Sequence, residues 1–521
     1  MKVECPAFDF LYSTSYLALH IQKSESKVQN APPLGVDMAD LKRKSVRGGA
    51  VTMVSQAITI GIQLTSTVVL ARLLTPEDYG VLAMVMAVTA FAGLFRDLGL
   101  SSAAIQKKDL TREQQSNLFW LNVSMGLLLT LIVAAGSPLV AWFYKKPELV
   151  MVTLALAVNF LIGSLGTQHG AMLVRKMQFG RKAVATIAGA IVTLVVAVIL
   201  ALQDYSYWAL VWGTLSGAVV VTLLTVIVSP FRPCLPSKGS GIREMLGFGA
   251  NVTAFDFVNY FSRNLDKVLI GRFCSTESLG LYSRAYQLLM FPVNAIRGPI
   301  TSVAFPAMSS LQDQPQAYRS YYRRTILLLS HLSMPLSAYL WVTSEHVVIL
   351  ALGKAWLPTA SLFSILAITA FIQTPYSLTG LIQLTLGRGQ RYFAIGAVVA
   401  GFTSLGFSIG VLWGSKGVAS AYAITTYVGL VPILMWAFKN TAIRLRDFFE
   451  SILRPCLASI LSAIVCYLVM GKVSELASFW VLTITFSAFA FSYLIVLGLI
   501  PNGRDDVKWF VRLVRNTVVS R

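Results

Sequence analysis

ARLLTPEDYGVLAMVMAVTAFAGLFRDLGLSSAAIQ, residues 71–106, carries the features that decide the fold. Ahead of it an apolar run ends at Arg72. Thr75-Pro76-Glu77-Asp78 then reads as a tight turn into a helix, because Thr is a good N-cap, Pro fits the first helical position, and acids suit the positive helix end. From Val81 onward the chain is mainly apolar, broken chiefly by Arg96-Asp97. A membrane-spanning helix needs about 20 such residues. The stretch is therefore a hairpin between two spans.

The same pattern recurs 200 residues later. Gly49-Ala50 aligns with Gly249-Ala250, Arg72 with Arg272, Glu77 with Glu277, and Gly80 with Gly280. Thr75 aligns with Ser275, and both can cap the helix that follows. Two copies of one hairpin predict an internal repeat.

Working outward, the 521 residues are 55% hydrophobic and only 13% charged, about half the roughly 25% of a soluble domain. Apolar runs predict spans near 48–70, 81–105, 117–143, 149–173, 183–203, 207–229, 246–270, 281–309, 325–344, 357–385, 392–413, 417–438, 453–471 and 477–500. That makes about fourteen transmembrane helices. The short alternating segments of a membrane barrel are absent, so the fold class is an all-α polytopic membrane protein.

The net charge of +20 would suggest nucleic acid in a soluble protein. Here it sorts by side. With the N-terminus in the cytoplasm, 28 Lys and Arg fall in inner segments and 8 in outer ones. One miscounted span would invert the later loops and erase the bias. Both termini are expected inside, and no nucleic-acid partner is implied.

Six spans per repeat is an even number, so the two halves start on the same side and form parallel repeats about an axis along the membrane normal. The expected organisation is an extension over 1–40, an N-lobe over 41–235, a C-lobe over 236–445, two extra helices over 446–503, and a basic amphipathic tail over 504–521. Residues 1–37 lack a basic start leading into a clean apolar run, and Met38 opens a basic segment that suits a native start. In the tail, Lys508, Arg512 and Arg515 share one helical face and fit an interfacial helix; a merely solvated tail is the alternative.

The five cysteines form no CxxC pair and the four histidines are scattered, so neither a disulfide framework nor a metal site is expected. No GxxxxGK[ST] loop supports ATP-driven work by this chain, and no cofactor is expected.

Ionisable residues within spans mark candidate function. At the 200-residue offset Gln56 aligns with Asp256, and Gln63 with Arg263. Residues seven apart lie nearly on one helical face, so spans 1 and 7 carry equivalent polar stripes expected to face a shared lumen. Arg96 and Arg297, offset by 201, sit about 15 residues past their hairpins, or about 22 Å along a helix. Two guanidiniums at one depth suit a diphosphate, because the planar fork binds phosphate bidentately. Lys267 is a further candidate, with snorkelling toward the interface as its alternative. Asp256 and Asp97 are candidates for ion coupling. A structural Arg96–Asp97 ion pair, with Arg297 reaching interfacial lipid phosphate, is the competing reading. Asp266 could pair with Arg263 or Lys267. Gly213 and Gly217 read as helix packing. Pro292, Pro299, Pro306, Pro335 and Pro375 predict kinks, and Pro358 a helix end.

Residues 71–106 and the stretch LGLYSRAYQLLMFPVNAIRGPITSVAFPAMSSL, residues 279–311, resemble the polysaccharide exporter branch of the multidrug/oligosaccharidyl-lipid/polysaccharide (MOP) flippase superfamily. Colanic-acid-type exporters, or lipopolysaccharide biosynthesis proteins, are the nearest likeness, over about residues 40–500. The resemblance implies a two-lobed fold like that of MATE and MurJ transporters and alternating access around a cationic lumen. It implies an undecaprenyl-diphosphate-linked oligosaccharide as cargo in a bacterial inner membrane. Membrane lipids and a polymerase and glycosyltransferases of one pathway would be partners. Such families favour lumen arginines, which Arg96, Arg263 and Arg297 would supply. A drug/cation antiporter is the first rival, disfavoured by several lumen arginines. A membrane glycosyltransferase or polymerase is the second, disfavoured because every outer break is short and holds no paired carboxylates. The chain is thus expected to be a transporter and not an enzyme.

Overall fold

The computed structural model describes residues 38–97, 99–106, 110–237, 264–501 and 503–506. Every regular element among them is a helix. Eleven stretches are long and apolar enough to cross a membrane. The described residues do not show all fourteen expected spans as separate stretches. One of the eleven, 389–438, comprises two helices, the second expected span is broken, and much of the seventh lies outside the described residues. The extension 1–37 and the tail from 507 also lie outside them.

The chain forms two compact units, Met1–Gly280 and Leu281–Arg521. In the first, α1 (Met38–Leu73) leads into α2 (Pro76–Gly93) and a short α3 (Leu100–Gln106). Then follow α4 (Arg112–Ala135), α5 (Ser137–Tyr144), α6 (Leu149–Arg175), α7 (Phe179–Ala201) and α8 (Tyr207–Val228). Helix α6 is the hub and packs on α2, α3, α4, α5, α7 and α8. Small residues let these helices approach, as lipid-embedded packing requires. A Cβ at Gly217 would sit 1.8 Å from the Thr193 hydroxyl, and one at Gly213 would sit 2.8 Å from Ala197 Cβ. The Gly213/Gly217 pair is thus the α7–α8 contact expected of it.

The quoted hairpin folds as its sequence directs. Thr75 N-caps α2: the Asp78 amide donates to its hydroxyl at 3.3 Å, and the Thr75 amide donates to the Asp78 carboxylate at 2.8 Å. Asp78 is buried and also accepts from the Ser206 hydroxyl. At the second hairpin the Ser278 amide donates to Ser275 Oγ at 3.0 Å, capping a helix that begins at Thr276. The two hairpins meet at their matched glycines. A Cβ at Gly80 would lie 1.9 Å from the Thr276 carbonyl oxygen, and one at Gly280 would lie 1.8 Å from that of Pro76.

The second unit continues α9 (Thr276–Ser310) into α10 (Pro315–Val342), α11 (Ser344–Leu352), α12 (Thr359–Tyr376) and α13 (Leu378–Thr385). After these come α14 (Gly389–Gly410), α15 (Gly414–Phe438), α16 (Leu445–Val473) and α17 (Ser478–Leu499). Helix α10 packs on α12 and α16, and α16 packs on α17. The core gathers Tyr318, Tyr322, Ile326, Leu329, Leu434, Phe438 and Phe448. Pro292, Pro299 and Pro306 lie inside α9, Pro335 inside α10, and Pro358 is the N-cap of α12.

Candidate functional site

The second span departs from the continuous helix that the apolar run suggested. After Gly93 the ladder tightens: the Phe95 amide donates to Ala92 O and the Arg96 amide to Gly93 O, both i→i−3 bonds. Gly99 then takes φ 66°, left-handed backbone that glycine adopts without steric cost. Helix restarts at Leu100, where Asp97 Oδ1 accepts from the Ser101 amide at 3.1 Å and from its hydroxyl at 2.7 Å. Arg96 and Asp97 therefore sit in the break between α2 and α3.

This assigns Asp97 a local task. Its hydrogen bonds go to Ser101, and Arg96 acts on it electrostatically without a hydrogen bond between the two side chains among the described residues. Arg96 turns toward α6. A Cβ at Gly163 would stand 2.6 Å from its Nη1 and 3.3 Å from its Cζ, so the missing side chain leaves space for the guanidinium. The Nε of Arg96 is buried and has no hydrogen-bond partner among the described residues. A buried donor left unpaired costs about 1–3 kcal/mol, more when charged. The group is thus poised to gain from an anion that enters.

Arg297 has a different setting. It lies in the second unit, within the continuous helix α9 and between Pro292 and Pro299, and is half-buried. Proline at 299 removes one amide from the ladder. The Thr301 hydroxyl back-bonds to Arg297 O at 2.9 Å.

Gln56 and Gln63 are both exposed on α1. Partly covered positions recur at Ser55, Thr59, Ile62 and Ser66, so the glutamine stripe lies about a quarter turn from that face, at about 100° per residue. Lys267 is half-buried in the helical residues 264–273, beside buried Asp266, whose Oδ1 accepts from the Lys267 amide at 2.8 Å. Arg263 and Asp256 lie outside the described residues. No hydrogen bond or ion pair joins Arg96 to Gln56 or Gln63 among the described residues.

Reading the sequence alone missed Gly163, whose role needs the α2–α3 break to bring Arg96 alongside it. It also treated inner-side arginines only as topology signals. Several bind helix ends. Arg175 donates to Ala104 O at 2.7 Å, Arg181 to Val228 O at 3.2 Å, Arg232 to Ser229 O at 2.9 Å, and Arg388 to Asn440 O at 2.7 Å. Each places a cation at the negative end of a helix or just beyond it.

Many long apolar helices, with a half-buried arginine at a helix break whose Nε has no hydrogen-bond partner among the described residues, define a multi-pass membrane protein of transporter type. Residues 69–361, more than half of the chain, match the family described as "Polysaccharide biosynthesis protein", and the chain belongs to that family. It is 28% identical to the teichuronic acid biosynthesis protein TuaB of Bacillus subtilis, over 82% of this chain and 90% of that one. It is 24% identical to the lipopolysaccharide biosynthesis protein WzxC of Escherichia coli, over 77% and 84% of the two chains. In fold it is similar to the lipid II flippase MurJ in an inward closed conformation, with TM-score 0.72 and 16% identity, over 89% of this chain and 100% of that one. An inward-facing MATE-family transporter of the MOP superfamily also matches, with TM-score 0.58 and 14% identity, over 73% and 94% of the chains.

Proposed function

We propose that the chain flips an undecaprenyl-diphosphate-linked oligosaccharide from the cytoplasmic to the periplasmic face of a bacterial inner membrane, for exopolysaccharide, capsule or O-antigen assembly. The observation that carries this reading is Arg96, whose guanidinium is turned to α6 beside Gly163 with a buried, unpartnered Nε. The family, and the likeness to TuaB and WzxC, biosynthesis proteins for teichuronic acid and lipopolysaccharide, support a saccharide cargo.

In this reading the diphosphate engages Arg96 and Arg297 in alternating access, the sugar crosses inside the protein, and the polyprenyl tail stays in lipid. Arg263, Lys267, Gln56 and Gln63 contribute to the polar path. Asp256 is the proposed ion-coupling carboxylate, and Asp97 serves chiefly to hold the α2–α3 break. Both termini are cytoplasmic, and the lobes follow 41–235 and 236–445, with 446–503 appended. The chain carries lipid and does no bond chemistry; polymerase and glycosyltransferases act before and after it.

Deleting the gene in its host tests this reading. Complete lipid-linked repeat units should accumulate on the cytoplasmic face of sealed membranes. Normal arrival of these units at the periplasmic face, with polymer missing, would point to a polymerase instead.

A further inference from the structure

We propose that a groove between the first turns of α10 and α16 binds a lipid-borne phosphate, that of an anionic phospholipid of the surrounding bilayer. The groove has a volume of about 450 Å³. One wall is a stripe of α10, Gln316, Arg319, Arg323, Arg324 and Leu327; the other is Glu450 and Arg454 of α16. Four guanidiniums and one carboxylate thus line the groove.

These cations are held in place from behind. Asp447, with no exposed side-chain surface, accepts from Arg319 Nε and Nη2 at 2.7 Å each and from the Arg444 amide at 2.8 Å. Arg323 spans Asp447 at 3.5 Å and Glu450 at 3.0 Å, and Arg454 Nε meets Asp506 at 3.2 Å. Arg324 is exposed and has no partner among the described residues. So three arginines are anchored and a fourth is available to close on an anion, as phosphate recognition by arginine requires.

Depth and shape favour a lipid over a free phosphate. Helix α10 has 28 residues, about 42 Å at about 1.5 Å each, against a hydrocarbon core of about 30 Å. Its polar first turns therefore stand at headgroup level. Below Arg454 on the same face of α16 run Leu457, Leu461, Ile464 and Leu468, all exposed, a track on which an acyl chain can lie. The orientation proposed above puts this end in the cytoplasmic leaflet, where anionic lipid attracts basic clusters. The site does not depend on what the protein transports.

The test uses the full-length protein in neutral detergent, with binding followed by native mass spectrometry and thermal shift. Dioctanoyl phosphatidylglycerol, dioctanoyl phosphatidylcholine, inorganic phosphate and a short-chain polyprenyl diphosphate are the probes. Phosphatidylglycerol should bind about tenfold more tightly than phosphatidylcholine, and Arg324→Glu should erase that preference. Arg324→Ala should weaken it, and Lys416→Ala, at an exposed site elsewhere, should leave it intact. Arg324 makes no bond among the described residues, so its variants test binding rather than folding. Equal binding of the two phospholipids, or a preference that survives Arg324→Glu, would overturn the site. Displacement by inorganic phosphate at the concentration of phosphatidylglycerol would overturn the lipid assignment. Stronger binding of the polyprenyl diphosphate, lost in Arg324→Glu, would reassign the groove to the transported lipid. None of these readouts measures transport, so the flippase proposal stands or falls separately.

Discussion

Arg96 and Arg297 occupy matching places in the repeat, yet the chain builds two different settings around them. Arg96 sits where its helix stops, with a buried Nε and a glycine across from it on α6. Arg297 sits within an unbroken helix between two prolines. The hairpins behave in the opposite way: Gly80 and Gly280 each approach a backbone carbonyl of the other hairpin, at 1.9 and 1.8 Å from where a Cβ would stand. The repeat is kept where backbones touch and has drifted around the two arginines proposed to bind the cargo. Close backbone contact tolerates only glycine, whereas a guanidinium on a long stem tolerates different backbone settings.

The largest expected effect separates the two arginines. Arg96→Ala should lower lipid-linked saccharide export by about a hundredfold and Arg297→Ala by about tenfold, since Arg96 has a buried Nε with no hydrogen-bond partner among the described residues. Arg96→Lys should not rescue, because an ammonium lacks the fork. Equal losses, at equal protein levels, would break the comparison.

Next comes Gly163. Gly163→Leu should reduce export about tenfold by displacing the Arg96 guanidinium, and Gly163→Ala less, since the end of a flexible side chain can shift. Unchanged export in Gly163→Leu would remove Gly163 from the site.

The hairpins should respond alike. Gly80→Ala and Gly280→Ala should each cost about 1–3 kcal/mol through overpacking against backbone, read as a fall in Tm in detergent. A large drop in one alone would show that the contact is not reciprocal. The smallest effect belongs to the caps. Asp78→Ala should cost about 1 kcal/mol, more than Ser278→Ala, because Asp78 completes a reciprocal box and also meets Ser206. Equal shifts in Tm would erase that difference.

The sequence made legible what depends on local chemistry. Span length, the Thr75 and Ser275 caps, the Pro358 helix start and the Gly213/Gly217 contact all follow from neighbours within a few turns. The α2–α3 break was also local, but Gly99 and the Asp97–Ser101 bond are set in an apolar run that hides them. What could not be read was pairing at a distance. Arg319 and Asp447 are 128 residues apart, and only the packing of α10 on α16 joins these two helix charges behind the groove. Gly163 likewise gains its meaning from a residue on another helix.

The most direct test is translocation in sealed inside-out vesicles, using a short-chain polyprenyl-diphosphate oligosaccharide and the wild-type or Arg96→Ala/Arg297→Ala protein at equal abundance. The account predicts movement of the intact lipid to the lumenal face with wild type and background movement with the double variant. Full translocation by the double variant would contradict it.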